Sequence, residues 1–110
     1  MAKLTSFNTV YTLQKDVTQA AVATDYFEDT LPDTRYDIKV IQGVIVGSGA
    51  ISGTIEVLGS LDGIHWVGIE FIELNGTDNA TNAVVINEPW AYIKSSVLST
   101  NATITVLLGV

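Results

Sequence analysis

Apolar positions in this chain recur every second residue, in short runs separated by Gly, Pro, Asn and Asp, and no amphipathic helical spacing stands out. The clearest run is residues 54–71, TIEVLGSLDGIHWVGIEF. A two-residue Asp62-Gly63 turn sets Val57 opposite Gly68 and Ile55 opposite Glu70, mixing apolar with non-apolar positions. A three-residue Leu61-Asp62-Gly63 loop sets Val57 opposite Val67 and Ile55 opposite Ile69, with Gly63 at the left-handed position such loops need. Opposite residues share a face, so the second register is expected, with one apolar face and one wet face.

The same pattern predicts strands along the rest of the chain. Residues 38–46 (IKVIQGVIV) are apolar on both faces, as in a central strand, and Gly47-Ser48-Gly49 is expected to break it. Alternation at Phe7, Thr9, Tyr11 and Leu13 makes residues 1–14 a first strand or an arm that pairs with a neighbouring subunit, ahead of a sandwich domain at 15–110. Residues 17–27 form a second strand-like run, with Val22 and Tyr26 as packing residues. Residues 28–37, around Pro32, and 75–82 (NGTDNATN) read as loops. Residues 83–86 give a short strand. Pro89 opens another, in which Ala91, Ile93 and Val97 alternate with Trp90, Tyr92, Lys94 and Ser96. Residues 102–108 close the chain with Ile104, Val106 and Leu108 on one face. About eight short strands with turns between them predict an all-β fold, an antiparallel β-sandwich of jelly-roll type.

At 110 residues the chain is expected to form one domain. Hydrophobic residues make up 47 % of it and charged residues only 15 %, against about 25 % in ordinary soluble domains. The shortfall has two readings: a small β-sandwich with a Thr/Ser/Asn-rich surface, or a surface partly buried against other subunits, and the second is the one expected. The net charge of −7, with five scattered basic residues, speaks against nucleic acid and against an anionic membrane. No window approaches the roughly 20 apolar residues of a membrane span. The start MAKLTSFNTVYTLQ lacks the apolar run of a signal peptide, so synthesis in the cytosol is expected. The absence of cysteine removes disulfides, thiolate metal sites and Cys nucleophiles.

Chemistry is hard to place. His65 is the single histidine, with no Cys or H-x-E pattern near it, and reads as a turn-edge residue. Glu56 and Glu70 fall diagonally on the solvent face of the expected hairpin, as solvated acids. No G-x-S-x-G is present, and Gly47-Ser48-Gly49 lacks the lysine of a phosphate loop. No catalytic residue, cofactor or metal is therefore expected, and the chain does not read as an enzyme. The aromatics remain. Leu58 and Trp66 share the face opposite Ile55 and Val57, which leaves three readings of that face: sandwich interior, subunit contact or carbohydrate platform. Phe7, Tyr11, Leu58, Trp66, Trp90 and Tyr92 are the interface candidates, since aromatic anchors concentrate at interface centres.

Three segments, GTIEVLGSLDGIHW, EPWAYIKSSV and TITVLLGV, resemble a family of small bacteriophage virion proteins. There a strand ending in G-S-x-D-G-x-x-W precedes a P-x-x-Y-I-(R/K) strand and a final V-x-L-G-V strand. Here Gly59, Ser60, Asp62, Gly63, Trp66, Pro89, Tyr92, Ile93, Lys94, Leu108, Gly109 and Val110 carry the likeness, which covers the half of the chain from Gly53 onward. The resemblance implies a capsid cement or decoration protein, a jelly-roll homotrimer on the outer surface of the virion that binds the major capsid protein and bridges capsomers. Head-fibre and tail accessory modules share the pattern. A carbohydrate-binding module using Trp66, Trp90 and Tyr92 is the alternative from another class.

Overall fold

The computed structural model describes residues 10–28 and 38–109, and their regular structure is all strand. Seven strands form one antiparallel sheet: β1 (Val10–Val17), β2 (Ala21–Val22), β3 (Phe27–Glu28), β4 (Lys39–Ser60), β5 (Val67–Ile86), β6 (Tyr92–Thr100) and β7 (Thr103–Gly109). Their order is β1-β7-β4-β6-β2, with β3 on β6 and β5 on β4. The all-β antiparallel expectation is met. Of the segment through Gln14, residues 10–14 belong to β1; residues 1–9 lie outside the described residues.

β4 governs the architecture. Its 22 residues would span about 70 Å if straight, yet the longest dimension of the molecule is 45 Å. The strand folds back on itself at residues 47–49, where its pairing with β5 is interrupted and Gly49 takes a φ of +77°. Before the break β4 pairs with β7, and after it with β6. One ladder thereby makes two layers.

The fold-back is centred on Gly49, and small residues oppose large ones across it. A Cβ on Gly47 would lie 3.0 Å from Ile51 Cγ2; one on Gly53, 3.4 Å from Ile45 Cδ1; one on Gly43, 2.6 Å from Ile55 Cδ1. Each pair sits symmetrically about Gly49. The sequence IQGVIVGSGAISGTI alternates Ile and Gly on the inner face, so the two arms of β4 mesh side chain to backbone. Ile41, Ile45, Ile55, Val57, Ile72, Ile93, Ile104, Val106 and Leu108 are fully buried in the resulting core. The expected inner faces of the last two strands, with Ile93 and Val97 in one and Ile104, Val106 and Leu108 in the other, are observed.

The other strands turn at the same place. β5 carries Asp78 at a φ of 66°, and its carboxylate accepts a hydrogen bond from Gly49 N (2.8 Å). β6 passes to β7 through Asn101, whose Oδ1 accepts from Ser52 N (3.0 Å) and whose Nδ2 donates to Ala50 O (3.3 Å). At the far side Gln14 of β1 is buried; it donates to Ala21 O of β2 (3.1 Å) and accepts from Ser95 Oγ of β6 (2.6 Å). The outer strands of the sheet are thus drawn together into a nearly closed sandwich.

Several local expectations are corrected. Residues 75–82 are not a loop: they are the middle of β5, paired from Asn75↔Ser52 to Asn82↔Gly43. Residues 83–86 are the end of that strand. Gly47-Ser48-Gly49 bends β4 without ending it. In the run at 17–27, Val17 ends β1 and the remainder contributes only the short β2 and the start of β3. The hairpin register also differs: Ile55 faces Ile72, Glu56 faces Phe71 and Gly59 faces Val67, with an irregularity beside Val57. The connection is longer than three residues because Ser60 and Asp62 side chains capture the backbone N–H groups that a short turn would pair across the ladder.

If meshing at the fold-back fixes the two layers, Gly43→Ala will destabilise the protein by about 1–3 kcal/mol. Ile55→Val removes the Cδ1 that the new methyl meets. In urea unfolding the double variant should be more stable than the sum of the two single effects by at least about 0.5 kcal/mol. Strict additivity would show that the arms do not mesh.

Candidate interaction surface

The loop joining β4 to β5 is built by two short side chains. Ser60 Oγ accepts from Asp62 N (3.2 Å) and Gly63 N (2.9 Å), and donates to Asp62 Oδ1 (2.9 Å). Asp62 Oδ1 accepts from Ile64 N and His65 N, each at 2.8 Å, while Oδ2 meets His65 Nδ1 at 2.7 Å. Gly63 takes a φ of +74°, the left-handed conformation expected of it. The His65 ring bond, then the His65 and Ile64 N–H groups and the Ser60 hydroxyl, hold the Asp62 carboxyl well below the usual aspartate range. His65 is exposed, a turn-edge residue as expected.

This fixed loop carries Leu61 and Ile64 outward, 71 % and 74 % exposed. Its stem lies on the outer face of the second layer, made by β6 and the later half of β4. Tyr92 stands opposite Ser60 and Lys94 opposite Leu58. Gly63 rests on the Tyr92 ring, with its Cβ position 3.4 Å from the ring. Tyr26 touches both Trp66 (5.8 Å between centroids) and Tyr92 (5.5 Å), and Lys94 Nζ lies 4.3 Å above the Trp66 ring. Tyr92 OH donates to Glu28 Oε1 at 3.4 Å.

The sequence candidates therefore separate. Trp66, Tyr92 and Leu58 are half-buried and share this outer face, which is not sandwich interior. Trp90 lies elsewhere: it packs on the core side over Gly59, whose Cβ position would be 2.6 Å from the indole, and its Nε1 donates to Glu88 Oε1 (3.2 Å). Tyr11 pairs with Phe27, 4.9 Å between ring centroids, at the β1 edge. Phe7 lies outside the described residues. Sequence reasoning missed Tyr26, Lys94, Leu61 and Ile64 as members of the surface. Glu56 and Glu70 are not paired: Glu56 leans over Gly68, and Glu70 stands opposite Val57.

Chemically the surface offers contact. The Tyr26 ring is inclined to Trp66 by 55° and to Tyr92 by 76°, so the three rings do not lie in one plane, and Lys94 covers one face of Trp66 and Gly63 one face of Tyr92. Among the described residues no three His, Cys, Asp or Glu side chains group as metal ligands.

No family model matches the chain. A comparison with curated proteins gives no match either. Among solved structures the chain is similar to the SPBc2 prophage-derived protein YomS, with 13 % identity, a TM-score of 0.61, and 99 % of this chain and 97 % of that one covered. At that identity the likeness is one of fold, and it extends from end to end. A protein of the Bacillus endospore appendages, described as a family of disulfide-linked pili, aligns with 13 % identity over 93 % of this chain and 81 % of its own, at a TM-score of 0.37.

Because the Asp62 carboxyl is held low in the folded state, its contribution to stability is complete above the ordinary aspartate pKa of about 3.9 and is lost as pH falls further. Asp62→Ala should therefore be less stable than wild type at pH 7, and the gap should close below about pH 4. Thermal unfolding followed by tryptophan fluorescence measures it; a gap that widens in acid would contradict the assigned bonds.

Proposed function

We propose that this chain is a structural protein of a bacteriophage particle, acting as capsid cement: copies associate with one another and seat on the outer surface of the major capsid shell. The observation that carries this reading is the end-to-end match in fold to a prophage-derived protein, with nearly all of both chains covered. The G-S-x-D-G-x-x-W, P-x-x-Y-I-K and V-x-L-G-V segments, which resemble those of small bacteriophage virion proteins, also support it. A head-fibre or tail accessory module rests on the same support.

The physical arrangement suits a mechanical task. A cement protein adds buried contact between capsomers, and what it needs is a scaffold that does not yield and apolar groups held ready to dock. The meshed β4 arms supply the first. Leu61 and Ile64 supply the second, because a loop already ordered by Ser60 and Asp62 loses little freedom on binding. Lys94 over Trp66 and Gly63 over Tyr92 each cover one ring face, which counts against the carbohydrate alternative.

The test is light scattering followed by co-sedimentation with shells assembled from a bacteriophage major capsid protein. Three times the 11.8 kDa subunit mass, and sedimentation with shells that Leu61→Asp or Ile64→Asp weakens, are the expected results. A protein that stays in the supernatant, yet binds a glycan array through Trp66, would overturn the reading.

A further inference from the structure

The two halves of β5 differ as sheet edges. Among the described residues β5 pairs with β4 alone, so the side turned away from β4 carries no strand over its 20 residues. The opposite margin of the sandwich is sealed: Gln14 of β1 bonds to Ala21 O and to Ser95 Oγ, and the Tyr11 and Phe27 rings meet there. A bare edge is a template for pairing unless charge or irregularity blunts it. Residues 67–77 are blunted. Their ladder slips beside Val57, Glu70 stands opposite that fully buried valine, and Glu73 follows three residues on. Residues 79–86 (NATNAVVI) are not. They carry no charged side chain and pair without interruption, from Asn79↔Val46 to Ile86↔Lys39. Ala83 N donates to Asn82 Oδ1 (2.9 Å) instead of to β4, and a strand carbonyl can replace that side-chain partner.

We propose that residues 1–9 of one copy add as a strand to the 79–86 edge of the next; the inference rests on the self-association included in the proposed function. Symmetry selects this kind of contact. Three copies need an interface between two different patches, a donor and an acceptor on each copy, because that arrangement can close as a ring. An edge paired with itself stops at two copies. The acceptor is the half of β5 that lacks protection, and the donor follows from length and charge. Nine extended residues span about 30 Å and an eight-residue edge about 27 Å, so the segment can match the whole edge. It joins β1 at Val10, in the end row Val10, Gly109, Val40 and Val85. To reach the edge of its own copy it has to cross three strand spacings, about 14 Å, which uses about four residues and leaves only about half of the edge paired. A neighbouring copy imposes no such crossing. Each copy carries a net charge of −7, and like charges brought together oppose association. MAKLTSFNT holds Lys3 and no acid, and the edge holds no charge, so this contact sets no like charges against each other. The segment also lacks Pro and Gly, which weaken a ladder.

The chain has no cysteine, so introduced thiols report contact directly. Residues 3–9 are changed to Cys one at a time, and each variant is mixed with a mass-tagged Ala83→Cys or Val85→Cys and oxidised. A disulfide between unlike variants can form only between copies, and it is expected at alternate residues of the segment. Sedimentation equilibrium on wild type and Ala83→Pro, with circular dichroism and thermal midpoint as checks of folding, gives the second reading. Ala83 is exposed and its N–H is not given to β4, so Ala83→Pro should fold while losing a donor on the edge. Wild type is expected to form trimers, and Ala83→Pro to weaken association by at least about tenfold. Trimers that give no mixed disulfide and are undisturbed by Ala83→Pro would overturn the assigned edge while leaving self-association intact. A disulfide confined to single copies of the double variant Phe7→Cys, Val85→Cys would place the segment on its own edge and overturn the exchange. A wild-type protein that remains monomeric at every concentration would overturn the exchange and the self-association behind it together.

Discussion

The structure depends on the meshing of glycine against isoleucine across the fold-back of β4. Two arms of a single strand cannot lie face to face unless each presents holes where the other presents bulk. Gly47 opposite Ile51, Gly53 opposite Ile45 and Gly43 opposite Ile55 meet that condition at successive inward positions. Once β4 has folded, the rest has little choice. β5 is paired with it along both arms and must bend as well, which it does at Asp78. β6 and β7, each paired with one arm, must be joined at the bend, where Asn101 replaces the missing ladder partners of residues 50 and 52. The core is the space between the arms, and the working surfaces are their outer sides.

The part of this that was legible in the sequence is the part decided by neighbours two residues away. Alternation at Ile93 and Val97, and at Ile104, Val106 and Leu108, identified strands and their buried faces. Gly63 was identified as a left-handed residue, and Gly47-Ser48-Gly49 as a discontinuity. What failed was decided by distant partners. NGTDNATN has the composition of a loop, and nothing local distinguishes it from one. It is a strand because residues 43–52 offer it a complete ladder, and its polar side chains are tolerable because most of them face water. The hairpin register failed for a different reason: apolar matching was weighed without the hydrogen-bonding reach of Ser60 and Asp62, which lengthens the loop. The Ile/Gly alternation about Gly49 was present in the sequence. It is a readable sign of a strand that folds onto itself.

The aromatic surface was half legible. Tyr92 and Trp66 were singled out by residue type, and Leu58 and Trp66 by their shared face. Trp90 was grouped with them although it packs over Gly59 on the core side. Tyr26 could not be found by pattern: its place beside Trp66 and Tyr92 follows from the pairing of Phe27 with Ile93, across 66 residues of sequence. Such a contact becomes visible only once the sheet order is known.

The two layers also divide the outer surface in a way that bears on assembly. A protein that must both meet its own copies and meet something else needs two surfaces that do not compete. The valine-rich face belongs to one layer, and the aromatic face with its projecting loop belongs to the other. The sandwich interior separates them. A contact on the first layer leaves Leu61 and Ile64 uncovered, and charges on the second layer do not weaken a contact on the first through direct apposition. The same fold-back that creates the core therefore also sets the two outer faces back to back.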